Sequence, residues 1–217
     1  MNQTLEQIIE RWNSGEGKPY KGKLIDFDAY EAGTDNIGCM CAQGQVLHLL
    51  GGWEPERLRQ TEQVKADEAT AKLLNISVAH AILLRDTNDS VDGAPAIVLT
   101  NPEKVLGDQA HIVLAFWLYM DRMTADQWDA ARGAARDGAR GAAWGAARDG
   151  ACGAAWGAAW GAARGAARGA AGYACGEIQG ARVLREQGKP FFFLPMFGFD
   201  GPEAIPALPA DYGKVAA

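Results

Sequence analysis

Between Trp128 and Ala171 the chain repeats every four residues: a variable residue, then Gly or Asp, then two small residues that are nearly always Ala. In an α-helix four residues turn through 400°, so each tetrad moves the variable column about 40° around the axis. No single face of a straight helix holds the whole column. As one helix the stretch would be roughly 66 Å long, whereas a compact chain of 217 residues has a radius of gyration of about 17 Å. Two arrangements meet these constraints. One is a long, right-handed supercoiling helix that leans on the rest of the chain or on a second subunit. The other is a bundle of short helices of three or four tetrads, which keeps each group of variable residues within a sector of about 120°.

The glycines sharpen the constraint. Ten of them fall between residues 128 and 171, and each costs a helix roughly 0.8–1 kcal/mol relative to Ala. The benefit expected in return is close approach, because small residues spaced by four form a groove for another helix or a ligand. A flexible low-complexity linker would have a similar Gly content. It would not carry this much Ala, a helix-capping motif at its start and bulky Trp at regular spacing. An ice-binding helix would show Thr on a flat face, and this repeat does not.

The variable column reads Trp128, Arg132, Arg136, Arg140, Trp144, Arg148, Cys152, Trp156, Trp160, Arg164, Arg168. Arg supplies planar donors that match phosphate and carboxylate, and Trp supplies a flat face for stacking. The expected ligand-binding residues are therefore Arg136, Arg140, Trp144, Arg148, Trp156, Trp160, Arg164 and Arg168, and the expected ligand is an anionic, nucleotide-like small molecule. The competing interpretation is structural: Trp packs into a core, and Arg stays exposed or pairs with Asp129, Asp137 and Asp149 in the next column.

Charge is unevenly spread along the chain. Residues 1–127 hold 11 basic and 19 acidic side chains, and residues 128–217 hold 10 and 8, giving −6 overall. The repeat region is thus the basic part, suited to a small anion or an acidic protein surface. Duplex nucleic acid would want a stronger positive field. The content of 48% hydrophobic and 22% charged residues suits a chain with a real core. No basic start followed by an apolar run opens the chain, and no stretch reaches the roughly 18 apolar residues of a membrane span, so a cytoplasmic protein is expected.

Local signals place a helix over 4–13, opened by a Thr4–Gln7 capping box, an extended segment over Lys23–Tyr30 and a loop over Gly33–Gly38. Further helices are expected near 40–50, 55–62, 67–75 and 78–86, a turn over Asp89–Gly93, and a brief strand or buried extended chain over Ala96–Leu99. Thr100-Asn101-Pro102-Glu103 reads as a helix start. From there to Met123 the chain is apolar on so many sides that a central buried helix is expected, interrupted near Gly107. Thr124–Gln127 is a second capping box, opening directly into the repeat. Tyr173–Gln187 is expected to be helical, and the run Pro190–Phe199 to close the core against the central helix.

Cys41 at a helix start, with His48 or His111 as base, is the arrangement a cysteine hydrolase would need. The four cysteines lack a zinc spacing and otherwise read as free buried thiols. Asp86, Asn88, Asp89 and Asp92 gather acids and amides in one turn, but not at the spacing of a calcium loop. No catalytic centre, metal or cofactor is expected.

The residues Asn101–Asp108, the Arg/Trp repeat, Glu177–Ala181 and the run Phe191–Phe199 together resemble uncharacterised proteins from bacteriophage and metagenomic sequences. The Cys41-Ala42 helix followed by Asn88-Asp89 is similar to a small bacterial domain of unknown function. Neither resemblance brings a functional residue with it. A phage setting implies a protein that sequesters a host defence nucleotide or blocks a host protein.

The expected fold is mainly α, with a short-helix globular part over 1–123, Gly/Ala-rich repeat helices over 124–187 packed on it, and an aromatic segment over 188–217. The expected function is non-catalytic binding of the nucleotide-like ligand. The alternatives are an assembly protein whose Gly/Ala grooves make a homo-oligomer, and the cysteine hydrolase.

Overall fold

The computed structural model describes residues 4–31, 37–90, 94–134, 137, 191 and 194–215. The protein is mainly helical, and among the described residues the extended pairing is a single antiparallel bridge, Ile25 with Met40. The chain divides into two compact units, Met1–His111 with Pro209–Ala217, and Ile112–Leu208.

In the first unit, α1 (Leu5–Ser14) opens on the expected capping box, with the Thr4 hydroxyl accepting from Gln7 and the Gln7 side chain accepting from the Thr4 amide. It ends at Gly15, whose φ of 81° is the left-handed conformation that closes helices. The helices α3 (Ala42–Leu49), α4 (Pro55–Gln60), α5 (Gln63–Leu73) and α6 (Val78–Asp89) follow the expected positions within a few residues. α3, α5 and α6 pack on one another and α7 (Pro95–Thr100) packs on α6, burying Val46, Leu47, Ala66, Leu74, Leu84 and Val98.

Two local expectations are corrected. The extended segment stops at Asp26. There the side chain accepts from the Ala29 amide at 3.3 Å and the carbonyl from Tyr30 at 3.1 Å, starting the short helix α2 (Phe27–Glu31). Ala96–Leu99 is neither strand nor extended chain but the middle of α7: Pro95 presets its first turn, and the Thr100 hydroxyl bonds back to the Ala96 carbonyl at 2.9 Å. Thr100 therefore ends one helix instead of capping the next. The expected interruption at Gly107 is present. Its φ of 79° separates α8 (Glu103–Leu106) from α9 (Ala110–Asp121).

α3 is buried along nearly its whole length, polar side chains included. Gln45 accepts from the Trp12 indole N–H at 2.8 Å and donates to the carbonyls of Gly17, Ile37 and Met40. Gln43 donates to Asp67 and to the Ala81 carbonyl and accepts from Gln63, while Asp67 also receives Arg85 from α6. A side-chain network thus stitches α3, α5 and α6 where apolar contact alone would leave register open.

His80 closes the same unit. One ring nitrogen lies 3.0 Å from the Val98 carbonyl and the other 3.0 Å from the Tyr212 hydroxyl, which ties the C-terminal residues to α6. Burial pushes the imidazole pKa down, outweighing the opposing hydrogen bond to Val98. An unfolded His titrates near about 6.5. Between that value and the lower folded value only the unfolded chain takes up the proton, so stability is full above about pH 6.5 and falls as the pH drops through it. Melting temperature followed from about pH 7.5 down to about 5 is expected to decline, and His80→Gln to flatten that decline. An unchanged slope in the variant would assign the acid sensitivity to other groups.

In the second unit, α9 is apolar on most sides and buries Leu114, Phe116, Trp117 and Met120. The aromatic run meets it: Phe197 stands edge-on to Phe116 at 4.9 Å and Phe199 edge-on to Tyr119 at 4.7 Å. A further helix, α10, runs over 125–134 and opens on the expected Thr124–Gln127 capping box. No helix among the described residues is long and apolar enough to cross a membrane.

Candidate functional site

Of the repeat, only the start lies within the described residues. Trp128 packs edge-on to Phe197 at 6.2 Å, and Arg132 forms an ion pair with Asp129 on the exposed side of α10. These first two members of the column follow the structural interpretation. A Cβ added to Gly133, the first repeat glycine, would meet none of the described residues within 4 Å. Arg136, Arg140, Trp144, Arg148, Trp156, Trp160, Arg164 and Arg168 lie outside the described residues, as do Cys152, the helix expected over Tyr173–Gln187 and the loop residues 32–36.

The Cys41 thiol is the N-cap of α3, accepting from the Gly44 amide at 3.4 Å. The positive end of a helix favours a thiolate and would lower the pKa of a thiol placed there. Burial prevails and pushes it up to about 11, leaving a protonated thiol at neutral pH. His48 is turned to the Trp53 carbonyl at 2.7 Å. The acidic turn is structural as well. Asn88 donates to the Tyr20 carbonyl, Asp89 accepts from the Gly22 amide, and Asp86 pairs with Arg85. Asp92 lies outside the described residues, among which no group of three His, Cys, Asp or Glu is placed to hold a metal.

These bonds build a cleft that local sequence signals did not indicate. Residues 20–22 are held to the end of α6 by Asn88 and Asp89, and residues 24–26 are held by the cysteine segment. The Leu24 carbonyl accepts from Cys41 at 3.1 Å, and the Asp26 amide donates to Cys39 at 2.7 Å. Bonds in these positions flank Ile25 as a non-hydrogen-bonded pair with Met40, so the N–H and C=O of Ile25 itself point to the opposite side. Ile25 also lines a cleft of about 410 Å³, together with the other residues of 22–28 and with Leu58, Arg59, Thr61 and Gln63.

The size lies within the range of sites that take small ligands or short segments. Arg59 lays its guanidinium 4.5 Å from the centre of the Phe27 ring, and the ring of Tyr30 lies 6.0 Å from that of Phe27. Lys23 and Arg59 line the cleft together with Asp26 and Asp28, so the lining carries both signs of charge in equal number. Gln63 points its amide to Gln43 and Asp67, fixing the wall to the buried network. No family model, curated protein or solved structure matches this chain.

Proposed function

We propose that this protein binds an anionic, nucleotide-like small molecule through the Arg and Trp of its tetrad repeat. The observation that carries this reading is the column itself: from Arg136 to Arg168 the variable position holds Arg or Trp at every tetrad except Cys152. Guanidinium pairs bidentately with phosphate, and indole stacks on a base. The change from a strongly acidic first part to a mildly basic second part supports an anionic ligand. The raised thiol pKa of Cys41 favours binding over cysteine hydrolysis. Sequestration of a host signal nucleotide is the role that the phage resemblance suggests.

Thermal denaturation of the full chain against mono-, di- and cyclic nucleotides tests the proposal. A ligand at a hundredfold excess over its Kd stabilises the folded state by about 2.7 kcal/mol, readily seen as a higher melting temperature. Trp156→Ala combined with Arg164→Ala is expected to abolish that rise while leaving the unliganded melt unchanged. If no nucleotide shifts the melt and light scattering reports a large assembly, the chain is an assembly protein built on its Gly/Ala grooves.

A further inference from the structure

We infer that the cleft beside Ile25 is a docking site for an extended polypeptide segment of another protein, which adds itself to the open edge as a short antiparallel strand. The first support is the backbone. Ile25 is buried, and neither its N–H nor its C=O bonds to any described residue. A donor and an acceptor on one residue, aimed the same way, are what an incoming strand engages with two hydrogen bonds. The second support is rigidity. The bonds from Asp89, Cys39 and Cys41 already hold the edge from behind, so the partner orders only its own residues on binding.

Charge selects among occupants. A phosphate-bearing ligand would meet Asp26 and Asp28 together with Lys23 and Arg59, gaining and losing on the same surface. A peptide with side chains of both signs places an acid toward Lys23 and Arg59 and a base toward Asp26 and Asp28. An apolar residue between them meets the Phe27 ring beneath the Arg59 guanidinium. At about 3.3 Å per residue, roughly three residues span the edge. The site shares no residue with the repeat, so it stands or falls independently of the nucleotide proposal.

The probe is a set of fluorescein-labelled hexapeptides that alternate Val with Glu and Lys in both orders, each paired with a version N-methylated at the central residue. Fluorescence polarisation with the full chain should show binding by at least one unmethylated sequence. Its methylated partner should bind about tenfold more weakly, because one backbone hydrogen bond is lost. Amide exchange should slow at Ile25 in the complex. Arg59→Ala, a change on the exposed side of α4, should weaken binding several-fold with an unchanged melting temperature. The inference is overturned if no peptide in the set binds, if methylated and unmethylated peptides bind alike, or if Ile25 exchange stays the same in a peptide complex.

Discussion

Gly44→Ala is expected to destabilise the first unit by roughly 3 kcal/mol, lowering its melting temperature by about 10 °C. A Cβ built at Gly44 lies 2.1 Å from the Leu24 carbonyl oxygen and 3.2 Å from the Met40 Cβ. The closest neighbour is backbone, which cannot turn aside as a side chain can. That same carbonyl accepts the Cys41 amide, so relieving the clash breaks the pairing that holds the Ile25 edge. The sign of the effect is informative. Helix propensity alone would make Ala the better residue by about 1 kcal/mol, so any loss measures the close approach of α3 to the edge. Gly133→Ala is the matched control, because its Cβ meets none of the described residues within 4 Å and the helix is expected to gain. If both variants melted higher than the parent, the packing of α3 against Leu24 would be refuted.

Gln45→Leu is the second large effect, although Leu matches Gln closely in volume. Its amide serves three carbonyls and the Trp12 indole at once. The Met40 carbonyl also receives the Tyr20 amide, and the Ile37 carbonyl receives Met40, so those two remain bonded. The Trp12 N–H loses its partner, and so does the Gly17 carbonyl. At about 1–3 kcal/mol for the buried Trp12 N–H and about 1 kcal/mol for the part-buried Gly17 carbonyl, the loss should reach roughly 2–4 kcal/mol. Chemical denaturation measures it, and hydrogen exchange at the Trp12 indole should accelerate by more than the global loss of stability requires. Wild-type stability with an unchanged indole exchange rate would mean that the bond from Trp12 to Gln45 contributes nothing.

Sequence patterns reached as far as local chemistry reaches. Capping boxes at Thr4 and Thr124, Pro55 at a first turn and the break at Gly107 could all be placed because each is satisfied by residues within four positions. Ala96–Leu99 departs from the expected strand or extended chain because four apolar residues show no period that separates a strand from a buried helix. The preceding Pro95 was the signal that distinguished them. In the cleft, Arg59 sits 4.5 Å from the Phe27 ring although thirty-two positions separate them, and no local rule brings those two together.

What the amino-acid order determined by itself was the helical character of the chain, the positions of most helix ends, and the Arg/Trp column from which nucleotide binding is proposed. These follow from spacing, capping and side-chain chemistry, all properties of neighbours along the chain. Tertiary structure alone decided that Gln43 and Gln45 lie in the core, that burial overrides the helix end at Cys41, and that Ile25 and Arg59 line one cleft. Desolvation and hydrogen-bond partnership depend on groups tens of residues away, and only packing brings those groups into contact.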